Sequence, residues 1–231
     1  MSIRVKLFLS FFLMVALTIA LGVVAYLQVN KLSGSQKELV NSLLPKVIAV
    51  EKIIIYETRT QQYIREYMLT SSPSVKAEML KGIASNRKEN KKLTDYLQTE
   101  IHSARGKALL AAFEQKHAEL VKVNNRVSDL DSQGKTAEAA ALLISDESKS
   151  ARLAQRDALQ NLVDYQKKLA NDRGQEGIVI SDFTETVVMV LLLIVILVAV
   201  GLVLYILKSV VRPINYMKQV MLDVVKEGDF N

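Results

Sequence analysis

Two charge-free apolar runs, Leu7 to Val29 and Thr186 to Leu207, bracket a long polar stretch. As a helix rising about 1.5 Å per residue, each run reaches about 33 Å, enough to cross a hydrocarbon core about 30 Å thick. Everything between them then lies on one side of a membrane. Val23-Val24-Ala25 is a passable leader-cleavage pattern, but the apolar core exceeds the roughly 7–15 residues of a leader, and we read an uncleaved span.

The flanks set the expected orientation. Arg4 and Lys6 precede the first run, Lys208 and Arg212 follow the second, and Asp182 and Glu185 stand on the other flank of the second. Basic flanks stay cytoplasmic, so both termini are expected inside a bacterial inner membrane and the intervening segment in the periplasm; Lys31 and Lys37 oppose the rule locally. The expected division is a cytoplasmic N-terminus 1–6, a span 7–29, an outer domain 30–185, a span 186–207 and a cytoplasmic segment 208–231.

The chain has 30 basic and 24 acidic residues, a net +6, and a pI near 9.3. Much of this excess lies beside the membrane, the outer segment is nearly balanced, and no basic run alternates with aromatics, which argues against nucleic acid as a partner. Cysteine is absent, so neither a disulfide framework nor a thiolate site exists. Only Pro45, Pro73 and Pro213 interrupt a chain otherwise open to helix.

Apolar residues recur at three and four through Leu32, Leu39, Leu43, Val47, Ile48, Val50, Ile54, Ile55, Ile64 and Met68, predicting one rod that continues the first span to Leu69. Ser72 is expected to cap the next helix with Pro73 at its first position. That helix carries Met79, Ile83, Leu93, Leu97 and Ile101, and the pattern resets near Ser103 to Gly106. A third helix carries Leu110, Phe113, His117, Leu120, Val127 and Leu130, with Gly134 as its left-handed terminator. A short helix from Thr136 to Ile144 precedes a kink at Ser145-Asp146-Glu147-Ser148, after which Leu153, Leu159, Leu162, Val163 and Leu169 lead to the second run. Gly174 and Gly177 predict a soft stretch or the close approach of a neighbour. Four amphipathic helices on short connections predict an all-α, antiparallel up-down bundle.

Signals for catalysis are weak. Gly134-Lys135-Thr136 matches the tail of a phosphate-binding loop, but Asp129 stands where its first glycine belongs and no strand precedes it. His102 and His117 lack metal-ligand spacing, and His117 reads as a core histidine. No nucleophile, metal or cofactor site is expected.

A binding site reads more clearly. Arg59 falls in register with Ile48, Ile55 and Leu69 beside a strip of Tyr56, Tyr63 and Tyr67, while Arg152 and Arg156 share a face with Leu159 and Val163. Buried guanidinium groups need partners, so arginines on a packing face point to a small organic anion. Arg59 and Arg156 are each thirty residues from the nearer span, an equal depth of about 45 Å. The competing reading neutralises these arginines with Glu51, Glu57, Glu66 and Asp157 as surface pairs worth about 0–1 kcal/mol, and leaves the tyrosines to packing.

Beyond the second run, Pro213 follows Arg212, and Ile214, Met217, Met221 and Val224 keep the spacing of a short coiled coil before Gly228-Asp229-Phe230. This resembles the first half of a HAMP signal-transfer module. With Thr136 to Leu143 opening a fourth outer helix, the chain resembles the N-terminal part of a bacterial methyl-accepting chemotaxis protein. The resemblance implies two transmembrane helices flanking a periplasmic four-helix-bundle sensor, a homodimer in the bilayer, and no enzymatic activity. It implies ligand contacts from Arg59, Arg65, Arg152 and Arg156, with Tyr63 beside them, and signal relay through Pro213, Ile214, Met217, Met221 and Val224. The arginine spacing of aspartate receptors is not reproduced, so the ligand need not be aspartate. The family's second HAMP helix, methylated coiled coil and kinase-contacting tip find no counterpart up to Asn231, so contact with the kinase-coupling machinery is expected only through a part beyond it. A non-signalling truncated receptor, or the front end of a histidine kinase or nucleotide cyclase, fits the same residues.

Overall fold

The computed structural model describes residues 3–228, with side chains for 4–223, and the regular structure among them is helical throughout. In order these are α1 (Ile3–Glu38), a π-helical turn (Leu39–Leu43), α2 (Leu44–Leu69), α3 (Pro73–Glu100), α4 (Ala104–Ser132), α5 (Thr136–Ile144), α6 (Asp146–Ile206), a second π-helical turn (Leu207–Val211) and α7 (Arg212–Gly228). The all-α expectation holds. Two compact units emerge: one of Met1–Gly34 with Glu176–Asn231, the other of Ser35–Gln175.

The predicted rod runs on to Leu69 with one widened turn in it. The Leu44 N–H bonds to the Leu39 carbonyl five residues back, just before Pro45. Proline donates no N–H and crowds the carbonyl four residues earlier, and a widened turn absorbs both effects. The same device recurs before Pro213, where the Arg212 N–H reaches Leu207. Conversely, α6 runs unbroken through Gly174 and Gly177, and a Cβ at Gly174 would touch Leu39 Cδ2 at 3.9 Å. That is an ordinary contact, so the packing there does not require glycine.

In the Ser35–Gln175 unit, α2, α3, α4 and the first part of α6 form the four-helix bundle. Its stripes are Val50, Ile53, Glu57, Thr60, Ile64 and Tyr67 on α2, Met79, Ile83, Asn86, Asn90 and Leu97 on α3, Leu110, Phe113, Leu120, Val123 and Val127 on α4, and Gln155, Leu159, Leu162, Val163 and Gln166 on α6. An apolar layer that includes Val50, Ile53, Leu97, Phe113, Leu162 and Val163 forms the hydrophobic core cluster. The buried face of α2 differs from the face read through Arg59: Ile48, Ile55 and Leu69 are exposed in this chain.

The turns have specific chemistry. Gly134 alone has a positive φ among the described residues (80°). Its N–H bonds to Asp131 O (2.9 Å) and that of Lys135 to Leu130 O (3.0 Å), the paired closure of a helix C-terminus that only glycine adopts without strain. Ser103 Oγ accepts the Gly106 N–H (3.1 Å) at the start of α4, and Ser145 Oγ accepts that of Ser148 (3.2 Å) at the start of α6. Ser72 stands at the expected N-cap position before Pro73, but its hydroxyl pairs with Ser74 Oγ (2.9 Å) instead of capping an amide. Asp131 ties this end of the bundle together. It accepts from Lys76 Nζ (2.5 Å) and Thr136 Oγ1 (3.0 Å), and the ammonium lies 4.9 Å over the Tyr67 ring. These partners, Lys76 first, hold the Asp131 carboxyl below its ordinary range, while burial and then Asp131 push the Tyr67 phenol up to about 12.

The other unit carries both apolar runs. Each lies in a helix long and apolar enough to cross a membrane, and side chains such as Phe8 (70% exposed), Phe11 (71%) and Leu197 (66%) face outward. Apolar surface this extensive is stable when lipid or protein covers it. The Lys6 ammonium lies 6.0 Å over the Tyr205 ring. On α7, Ile214, Met217 and Met221 are exposed; the side chain of Val224, and Asp229-Phe230, lie outside the described residues.

Candidate functional site

A groove of about 540 Å³ lies between α2 and α6. Residues three and four apart share a helix face, so Thr58, Gln61, Gln62 and Arg65 of α2 oppose Lys149, Arg152, Arg156 and Gln160 of α6. Leu120, Leu153 and Leu159 supply apolar wall, and Glu57 is the one lining carboxylate among the described residues.

The groove's polar groups are mostly donors. Arg152 Nη1 donates to Leu143 O (3.0 Å) and Ser148 Oγ (2.7 Å), which fixes its side chain across the break before α6. Burial, and then the positive charge of Arg65, lower the Arg152 pKa. Among the described residues, no salt bridge joins Arg65, Arg152 or Arg156 to a carboxylate; Glu51 pairs instead with Lys167 (2.8 Å). Gln61 Nε2 and Gln155 Nε2 are buried without an acceptor. Clustered cations and orphaned donors are satisfied together by an anion that brings its own oxygens.

Of the residues singled out in the sequence, the structure brings together Arg65, Arg152 and Arg156. Arg59 is exposed and does not line the groove. At about 100° per residue it stands roughly a third of a turn from the Thr58–Gln62–Arg65 strip. Tyr63 packs between helices: a Cβ on Gly82 of α3 would come within 2.5 Å of its Cε2. Lys149, Gln61 and Gln155 were not anticipated. Their spacing from Arg152 and Arg65, three or four residues, was the available signal.

Behind the groove the core turns polar. Asn86 Nδ2 donates to Thr60 Oγ1 (3.2 Å), and Asn90 Nδ2 to Glu57 Oε1. His117 Nδ1 stands 3.2 Å from the same carboxylate oxygen but makes no hydrogen bond. His117 is thus not the satisfied core histidine expected, and Glu57 is directed to Asn90 and His117 rather than to the arginines. A second cleft, of about 590 Å³ between α3 and α4, exposes the other side of His117 beside Arg87, Lys91, Asp95, Glu114 and Lys122.

Comparison with curated proteins returns no match for the chain. A family model described as a four helix bundle sensory module for signal transduction does match, over residues 1–179, and with these two apolar helices and this bundle the chain belongs to that family.

Proposed function

We propose that this sensory module is the input end of a transmembrane chemoreceptor and that it binds a small organic anion, a carboxylate or amino acid, in the α2–α6 groove. The observation that carries the reading is the gathering of Arg65, Arg152, Arg156 and Lys149 around two acceptorless buried amides, with a single carboxylate in the wall. An ionised oxygen bonded to a guanidinium is worth about 1.5–3 kcal/mol. Because α6 carries both the groove and the second apolar run, a ligand that prefers one placement of α6 biases the signalling equilibrium by its difference in affinity for the two placements. Pro213, Ile214, Met217, Met221 and Val224 then pass the change on as the start of a HAMP module.

The exposed stripe of Leu44, Ile48 and Ile55 on α2 and the uncovered Ile214, Met217 and Met221 support a parallel homodimer, and the basic flanks support a periplasmic bundle with cytoplasmic termini.

The test is calorimetric titration of the whole chain in lipid nanodiscs against a panel of organic acids and amino acids. The best binder should lose about tenfold to a hundredfold with Arg65→Ala, Arg152→Ala or Arg156→Ala, and Arg156→Lys should recover part, since lysine keeps the charge and loses the fork. Wild-type affinity in all three alanine variants overturns the groove as the site. For topology, cysteine at Ser85 should react with an impermeant thiol reagent on intact cells and cysteine at Ser2 should not.

A further inference from the structure

We propose that anion binding in the α2–α6 groove is linked to proton uptake by His117, with Glu57 as the connecting charge, so that acidification tightens the anion. This rests on the anion-groove reading and adds its regulation.

Glu57 is 7% exposed and faces two ways. It forms part of the groove wall, and its Oε1 also accepts from Asn90 and lies 3.2 Å from His117 Nδ1. The His117 side chain is 27% exposed and lines the α3–α4 cleft, so it exchanges protons with solvent without passing through the groove. A proton on the ring would set a positive charge 3.2 Å from Glu57 Oε1.

Charged groups from four helices surround the pair. Facing His117 are Glu57 from α2, Arg87, Lys91 and Asp95 from α3, and Glu114 and Lys122 from its own helix. Facing Glu57 on the groove side are Arg65 from α2 and Lys149, Arg152 and Arg156 from α6. Carboxylate, ammonium and guanidinium groups ordinarily hold their charge between about pH 5.5 and 8, whereas imidazole ordinarily gains a proton there. With His117 neutral, Glu57 repels an incoming anion; with His117 protonated, the pair is neutral and that repulsion is cancelled. One unit of charge across a partly wet groove is worth about tenfold in affinity. By reciprocity, anion binding draws a proton onto His117.

Sulfate is the probe, because it stays a dianion across this range. Titrated into the whole chain in nanodiscs, it should bind about tenfold tighter near pH 5.5 than near pH 8. His117→Gln should flatten that dependence at the weaker affinity, and Glu57→Gln should tighten binding about tenfold near pH 8, where the carboxylate is uncompensated. Sulfate binding whose pH dependence survives His117→Gln overturns the linkage and leaves the groove standing, whereas no sulfate binding at either pH overturns the groove and the linkage with it. The pairing has its own readout without ligand. The chain has two histidines, so His102→Gln leaves one imidazole resonance to follow by NMR. At fixed pH that resonance should shift on adding Glu57→Gln; an unmoved resonance overturns the pairing.

Discussion

Two layers of the same bundle, about two helical turns apart on α2 and α3, are built on opposite terms. Around Val50, Ile53, Leu97, Phe113 and Leu162 the inward positions are apolar and sealed. Further along the same stripes those positions hold Glu57, Thr60, Asn86, Asn90 and Gln155, all buried. Each apolar side chain sealed away contributes about 1.5–3 kcal/mol. In the polar layer Asn90 Oδ1, Asn124 Oδ1, Gln155 Nε2 and Arg87 Nε stay without a partner, and a buried orphan costs about 1–3 kcal/mol. Stability therefore resides in the first layer, and the second trades it for groups able to respond to a ligand or a proton.

The largest way to break this contrast is Phe113→Ala. Emptying a site 2% exposed should destabilise the bundle by about 3–5 kcal/mol in denaturant or thermal unfolding. A loss under about 1 kcal/mol would deny the apolar layer its role.

Next in size is Asp131→Asn, which removes the charge paired with Lys76 and leaves one neutral oxygen where Lys76 and Thr136 each had their own, and it should cost about 1–3 kcal/mol near neutral pH. The sign with pH follows from the lowered Asp131 pKa. The wild-type advantage is full above the carboxyl's unfolded value and disappears as pH falls through the folded one. The two proteins should therefore converge in acid, and a gap that persists there would mean that the carboxylate's charge is not the cause.

Gly106→Ala is smaller. A Cβ there would lie 2.5 Å from Ile101 Cγ2 and 2.7 Å from the capping Ser103 Oγ. The substitution should cost about 1–2 kcal/mol in thermal unfolding, although alanine is normally the better helix former by about 1 kcal/mol.

The smallest effect sharpens the comparison most. Gln155→Leu removes an orphaned amide from the polar layer, so unfolding stability should hold within about 1 kcal/mol or rise, while anion affinity in the groove falls. A large loss of stability would make the polar layer an ordinary part of the core.

How legible the molecule was differs from feature to feature. Gly134 and the Thr136–Ile144 helix could be read directly, because terminators and short helical runs depend on a residue's own backbone preferences and its near neighbours. The π-helical turns before Pro45 and Pro213 could not. A proline signals a disturbed hydrogen bond, but whether the helix kinks, ends or widens depends on what packs around it.

The site divides in the same way. Arg152 and Arg156 stood out because four-residue spacing fixes their shared face whatever the tertiary context. Arg59 was favoured over Arg65 because Ile48, Ile55 and Leu69 make an apolar stripe, yet in this chain Val50, Ile53 and Ile64 turn inward with Glu57 and Thr60 between them. A helix with apolar residues on two faces does not say which one meets its own bundle. By itself the sequence determined the helices, their ends and the two apolar runs, since these follow from local torsional preference and from periodicity. Only the tertiary structure decided which face of α2 is buried, which arginines meet across the groove, and that His117 stands beside Glu57, because contacts between helices distant in sequence depend on how all four stripes are satisfied at once.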